Sequence, residues 1–344
     1  MKYFIKTFGC QMNEADSEQI AAGLEKKGYQ PAGSIQEADL VVINTCSVRK
    51  SAEDRVLGLM KNLKKLPPFG KSATGRKIIL TGCMLRYSKI RLNKILPGVD
   101  EFIKLEQLTK GVAALRQDDK HAWVRIMAGC DNFCTYCVVP SARGRETSRP
   151  IEEIVCEVKE LVKRGYREIT LLGQNVNSYG KNFKGFKKAP FAGLLQELQQ
   201  INGLEKISFL TSNPHDMTDD IIAAMKLPKI NRYLHLAVQS GDDEILKRMN
   251  RKYTVEQYLV LVEKIKENIP DIELGTDIIV GFPGETKAQF NNTVKLCKQV
   301  GFKIAYINKY SPRSGTVAYK FKDNVLIQEK KRRWRVLEKL INKK

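Results

Sequence analysis

Three cysteines within eight residues stand out in this sequence: Gly129-Cys130-Asp131-Asn132-Phe133-Cys134-Thr135-Tyr136-Cys137. A Cys-x-x-x-Cys-x-x-Cys loop can wrap three thiolates around one inorganic centre. Structural zinc normally takes four protein ligands, grouped as two separated pairs. No fourth ligand is evident, since His121 precedes the strand-like run and Cys156 lies in a helix-like one. A thioredoxin-type redox pair would need only two of the three thiols. A cuboidal iron–sulfur cluster on three thiolates, with its fourth iron open to a substrate or cofactor, fits the spacing best.

A second set is spread out. Cys10 follows a strand-like run in TFGC, Cys46 another in VVINTC and Cys83 a third in IILTGC, at intervals of 36 and 37 residues. Each interval is about one strand–helix unit. In a parallel sheet all strand C-termini lie on one edge, where ligand sites form, so three thiols in one phase of the repeat would converge. The competing reading is three buried core cysteines. The two remaining cysteines, Cys156 and Cys297, sit on apolar helical patterns and are expected in the core.

Strand and helix patterns alternate along the chain that carries these residues. Short β-branched runs at Tyr3–Phe8, Leu40–Asn44, Lys77–Leu80, Trp123–Met127, Glu168–Leu172, Lys206–Leu210, Tyr233–Val238, Ile272–Val280 and Phe302–Asn308 are separated mostly by helical spacing. The expectation is an α/β protein: a small doubly wound parallel sheet in residues 1–114, then a partial (β/α)6 barrel in 122–325. The polar stretch Leu115–His121 is the expected linker, and 326–344 reads as a basic amphipathic helix. Pro67–Gly75 echoes a phosphate-binding loop but lacks its Lys-Ser/Thr. Neither a signal peptide nor an apolar run of the ~18 residues a membrane helix needs is evident. A cytoplasmic location is therefore expected, where disulfides rarely persist.

The cysteine loop with Tyr136 before its last cysteine resembles the radical S-adenosylmethionine (SAM) signature. GCDNFCTYCVVPSARGRETSRP, LLGQNVNSYG, LHLAVQSGDDEIL, TDIIVGFPGET and SPRSGT resemble the methylthiotransferase branch of that superfamily. TFGCQMNEADSE and INTCSVRKSAE resemble the subfamily that modifies tRNA adenosine, the MiaB type. Ala237 and Ser314 depart from it, where proline is commoner. The resemblance implies two 4Fe-4S clusters, a radical-SAM cluster on Cys130, Cys134 and Cys137 and an auxiliary one on Cys10, Cys46 and Cys83. It further implies two SAM molecules and transfer of a methylthio group to carbon 2 of isopentenyl-adenosine at position 37 of tRNA. That C–H bond is not acidic, so a cofactor radical must break it while the protein positions the reactants. Alternatives are threonylcarbamoyl-adenosine in tRNA, a ribosomal-protein aspartate, or a non-catalytic RNA-binding protein stapled by metal. Expected partners are the tRNA anticodon loop, a reductant such as flavodoxin or ferredoxin, and a sulfur donor, with the enzyme acting as a monomer.

Glycine-bearing segments at strand ends suit a SAM site, and Tyr136, Gly173, Gln174, Gln239 and Gly281 are assigned to it by position. Asp277 and Glu285 can contact ligand or cap helices. Arg143, Arg145 and Arg149 can meet the SAM carboxylate or tRNA phosphate, or simply lie in solvent. His215 is placed at the substrate cleft and His235 in the core. The net charge of +21 favours a polyanionic partner. It concentrates in Arg49–Lys94, with thirteen Lys/Arg against two Asp/Glu, and in Glu329–Lys344, with eight against two. Arg332, Arg333 and Arg335 are accordingly nucleic-acid candidates. Family members usually continue into an RNA-binding TRAM barrel. With the chain stopping at Lys344, Lys330–Lys344 and the Arg49–Lys94 face are expected to replace part of its grip.

Overall fold

A computed structural model describes residues 1–48, 50–63, 77–109, 120–183 and 190–343. The Pro67–Gly75 stretch and residues 115–119 of the expected linker lie outside the described residues. The chain divides into two compact units, Met1–Asp119 with Ser141–Gly144, and Lys120–Pro140 with Arg145–Lys344. Residues 141–144 thus cluster with the first unit, although the sequence places them in the second.

The described strands of the first unit are β1 (Lys2–Thr7), β2 (Gln30–Pro31), β3 (Leu40–Thr45), β4 (Lys77–Gly82) and β5 (Glu101–Phe102). They form one parallel sheet in the order β2-β1-β3-β4-β5. The central strand β3 is buried throughout, as its apolar sequence LVVINT requires of a strand covered on both faces. Its residues alternate between two cores. Val41 and Ile43 meet Val56 and Met60 of α2 (Lys50–Leu63), while Leu40 and Val42 meet Ile20 and Leu24 of α1 (Gln11–Lys26). Two shorter helices follow β4, α3 (Lys89–Ile95) and α4 (Leu105–Thr109). Helices on both faces of a parallel sheet make the doubly wound fold that the strand spacing predicts.

The second unit carries six longer strands: β6 (His121–Arg125), then β9 (Glu168–Leu172), β10 (Lys206–Phe209), β11 (Tyr233–His235), β12 (Glu273–Val280) and β13 (Ile304–Lys309). His121, expected in the linker, begins the first of them. Parallel pairing runs β6-β9-β10 and β11-β12-β13, and an isolated parallel bridge, Ser212↔Leu236, joins the two sets. Strand order thus follows chain order, as in an open partial barrel. A short antiparallel pair, β7 (Met127–Ala128) and β8 (Thr147–Ser148), flanks the cysteine loop, and α5 (Val139–Arg143) lies between them.

The connecting helices are α6 (Ile151–Lys163), α7 (Pro190–Gln199), α8 (Asp219–Ala224), α9 (Asp243–Arg248), α10 (Val255–Asn268) and α11 (Lys287–Val300). Capping boxes start α10 at Thr254/Gln257 and α11 at Thr286/Gln289. The basic tail forms α12 (Ile327–Ile341) and packs on β13, with Leu337 and Ile341 in the core and Trp334 Nε1 donating to Ile307 O at 3.0 Å. Among the described residues no helix is long and apolar enough to cross a membrane.

Candidate cluster and cofactor sites

In the first unit the register pairs Thr7 with Asn44 and Thr45 with Gly82, so β1, β3 and β4 end on one edge. Cys10 caps α1, Cys46 follows β3 and Cys83 opens the short 3-10 turn after β4. Side-chain amides stitch these ends together. Asn13 Nδ2 donates to Asn44 Oδ1 and Thr45 O, both at 3.0 Å, while Asn44 Nδ2 donates to Asn13 O at 2.8 Å and Ser17 Oγ at 2.9 Å. Asn13 Oδ1 accepts from the Cys10 thiol at 3.5 Å. Gly9, at φ +144°, has no room for a side chain: a Cβ there would sit 2.7 Å from Cys46 Cβ.

The thiols feel one another. A hydrogen bond shared with Cys46, opposed by burial, brings Cys10 down to about 6. That bond, burial and neighbouring Cys83 push Cys46 up. Arg143, expected near SAM or tRNA, instead pairs here with the buried Asp16 at 2.9 Å and lies close enough to lower Cys10 further.

In the second unit the cysteine loop is held from outside. Thr135 N donates to Met249 O at 3.0 Å, Thr135 Oγ1 to Arg248 O at 2.8 Å, and Ala318 N to Thr135 O at 2.8 Å. Each sulfur receives one N–H: Cys130 from Asn132 Nδ2 at 3.5 Å, Cys134 from Arg251 Nη1 at 3.4 Å, Cys137 from Val139 N at 3.4 Å. Such bonds stabilise thiolates and tune cluster potentials. Burial, then Cys134, pushes Cys137 up to about 12 as a free thiol, so metal binding must displace its proton. Among the described residues no three His, Cys, Asp or Glu side chains are grouped to hold one metal ion. Three thiolates per centre is the donor chemistry that a four-iron cube takes, each on a different iron.

At the C-terminal ends of β9, β10 and β11, Gln174 Oε1, Ser212 Oγ and Ser240 Oγ are buried without a hydrogen-bond partner. Buried polar atoms left unpaired beyond strand ends suit a polar ligand site. Gln239 is held at φ +69° between β11 and β12, its N donating to Asp277 O at 2.8 Å. Tyr136 packs against the Ile245, Met249, Phe282 and Tyr310 cluster. Two expected cofactor glycines face protein instead. A Cβ at Gly173 would sit 2.5 Å from Met127 Cγ, and one at Gly281 would collide with the Lys330 chain.

Beside the loop lies a polar cavity of about 250 Å³, whose lining includes Asp131, Asn132, Glu146, Asn175, His215 and Asp216. Burial, together with the Asp216 and Asp131 carboxylates, pushes Glu146 up to about 7 despite a 2.6 Å hydrogen bond from Ser178 Oγ. Neither Glu146 nor Arg251 was expected from the sequence, although RETSRP contains the former. His215 lines this cavity, while His235 is buried between Tyr233 and Asp277, 2.8 Å from the latter.

The radical SAM superfamily model matches residues 124–297, and an uncharacterised family model, UPF0004, matches residues 2–104. A tRNA-2-methylthio-N(6)-dimethylallyladenosine synthase of Thermotoga petrophila is 43% identical, over 100% of this chain and 83% of its own length. The chain belongs to that family. Another synthase, from Thermoanaerobacter sp., is 45% identical over 99% of this chain and 78% of its own length. Among solved structures, the radical SAM methyltransferase TsrM from Kitasatospora setae superposes with a TM-score of 0.64 at 13% identity, covering 89% of this chain and 72% of that one. The shared fold is that of radical SAM enzymes, whose superfamily implies a 4Fe-4S cluster and SAM.

Several residues expected in this synthase at functional surfaces are otherwise engaged. Arg333 is buried and bonds Glu285 at 2.6 Å and Glu329 at 2.8 Å, so it cannot reach a phosphate. Lys330 is buried on Asp323 at 2.7 Å, which removes it from the expected basic grip. Glu285 also accepts from Gly281 N at 2.6 Å, a structural role. Arg149 is tied to Arg125 O and Glu157, both at 2.7 Å. Arg332, Arg335 and Arg145 remain at the surface. Cys297 is buried as expected, but Cys156 is exposed.

Proposed function

We propose that this synthase transfers a methylthio group to carbon 2 of N6-isopentenyl-adenosine at position 37 of tRNA, using two SAM and two 4Fe-4S clusters. The observation that carries the reading is the pairing of two three-cysteine sets, each at a strand-end edge of its own unit, with full-length likeness to synthases of that name. Cys130, Cys134 and Cys137 would hold the radical-SAM cluster, and Cys10, Cys46 and Cys83 the auxiliary one. Bound there, a cluster with SAM supplies the one-electron chemistry that an unactivated aromatic C–H bond requires.

The chain's own groups prepare that chemistry. Arg251 directs positive charge at the Cys134 sulfur while its other N–H groups bond Asn213 Oδ1 and Ala237 O at 3.0 and 2.8 Å. Gln174, Ser212 and Ser240 offer polar atoms to the SAM amino-acid and ribose groups. Asn13 and Asn44 fix the Cys10 turn against the Cys46 strand end. The exposed cations of α12, and those exposed among the described residues of Arg49–Lys94, would meet tRNA phosphates. The domain limits of 1–114, 122–325 and 326–344, a monomeric state, a cytoplasmic location, a flavodoxin- or ferredoxin-type reductant and a separate sulfur donor complete the reading. It is tested by incubating anaerobically reconstituted protein with SAM, reductant and isopentenylated tRNA, then digesting the tRNA for nucleoside mass spectrometry. The 2-methylthio nucleoside is expected; its absence from protein with intact clusters would refute the substrate.

A further inference from the structure

Phe133 immediately precedes the cluster cysteine Cys134, yet the residue is 46% exposed. Its backbone is at φ +48°, a conformation a bulky residue adopts only when its surroundings impose it. The imposing group is Asn250, itself at φ +58°, whose Nδ2 donates to Phe133 O at 3.0 Å and Asn132 O at 3.4 Å. The fold thus holds a large apolar ring out of the core rather than letting it collapse inward. Arg145 lies over the ring at 5.2 Å, oriented by Asp131 at 2.9 Å, and 75% of its side chain is exposed. Their immediate chain neighbours Asn132 and Glu146 line the polar cavity, as does Asp131, the partner of Arg145.

A flat aromatic surface with a stacked guanidinium, both open to solvent beside a cavity, matches how proteins hold unstacked RNA bases. The net charge of +21 favours a polyanion over an apolar peptide as the partner of this chain, and exposed Arg145 supplies a cation at this surface. We infer that Phe133 and Arg145 form a stacking platform for an unpaired base of the RNA substrate, next to the nucleotide that undergoes reaction. Phe133 acts as a stacking face and Arg145 also as a phosphate-range cation. The inference rests on the tRNA reading above but assigns a contact that reading does not contain.

The test measures binding of an RNA stem-loop with unpaired adenines to reconstituted protein, by fluorescence anisotropy over a range of salt concentrations. Phe133→Ala should weaken binding about five-fold or more, since stacking on one aromatic is worth ~5- to 150-fold by alanine substitution. The slope of log affinity against log salt and the iron content should stay at wild-type values. Phe133→Leu, which keeps bulk without a π face, should bind like the alanine variant, and Phe133→Trp should restore affinity. Arg145→Ala should reduce the salt slope by about one counter-ion. Wild-type affinity in Phe133→Ala or Phe133→Leu would overturn the inference. So would an affinity loss accompanied by lost iron, because the ring would then only pack the cluster loop. Wild-type protein that shows this pattern yet makes no methylthio nucleoside would instead count against the substrate reading alone.

Discussion

Replacing Asn13 by alanine should damage the first cysteine set without touching a cysteine. The side chain is fully buried. Its Nδ2 serves both Asn44 Oδ1 and Thr45 O at 3.0 Å, and its Oδ1 accepts from Cys10 at 3.5 Å and Arg143 at 3.4 Å. Truncation strands Asn44 Oδ1 in a buried site, a loss of about 1–3 kcal/mol. The vacated volume adds to this, so a destabilisation of about 2–4 kcal/mol is expected. Asn13→Asp keeps the shape but turns the donor face into an acceptor facing two oxygens, and should cost at least as much at neutral pH. The assay combines urea unfolding with iron analysis in a Cys130→Ala, Cys134→Ala, Cys137→Ala background, where only the first set can bind. About four irons per chain should fall to fewer than two in Asn13→Ala. Unchanged unfolding and full iron in both Asn13 variants would refute the reasoning that this amide positions the Cys10 turn.

Further outcomes follow from other contacts. Arg333→Ala leaves Glu285 buried without its cation and should lower stability by about 3–5 kcal/mol in thermal or urea unfolding, whereas exposed Arg335→Ala should leave stability near wild type while weakening tRNA binding and reducing its salt slope. Glu146 is raised in the folded protein from 4.5 to about 7, so wild-type stability declines as pH rises through that window. Glu146→Gln should therefore match wild type below 4.5 and exceed it above 7 in denaturant midpoint; equal midpoints at both ends would contradict the burial argument. Iron should fall from about eight to about four per chain when either cysteine triplet is replaced by alanine, and stay near eight in Cys156→Ser.

Much of the fold was legible because its strands are short β-branched runs whose ends coincide with cysteines or glycines. β3 shows why: a strand buried on both faces has few residue types open to it. The two cysteine sets were legible for a similar reason, since three thiols in one loop, or in one phase of a repeat, leave few structural readings. What escaped notice was helical phase and long-range partnership. Cys156 lies two residues from both Ile154 and Val158, so on a helix it points away from the buried stripe formed by those residues and Leu161. Lys330 and Arg333 share the phase of Leu337 and Ile341, and so they are buried despite their charge. Their partners differ in reach. Asp323 is near in sequence, but Glu285 stands 48 residues from Arg333, which composition cannot reveal. Asn13, Glu146 and Arg251 escaped similarly, because their chemistry comes from residues 31 to 117 positions away.

Nucleoside mass spectrometry of isopentenylated tRNA treated with the reconstituted protein, alongside the two cysteine-triplet variants, tests the central claim most directly. Wild-type protein should convert the nucleoside to its 2-methylthio form and neither variant should yield any. The methylthio product from either variant, or none from wild type carrying about eight irons per chain, would contradict a two-cluster methylthiotransferase.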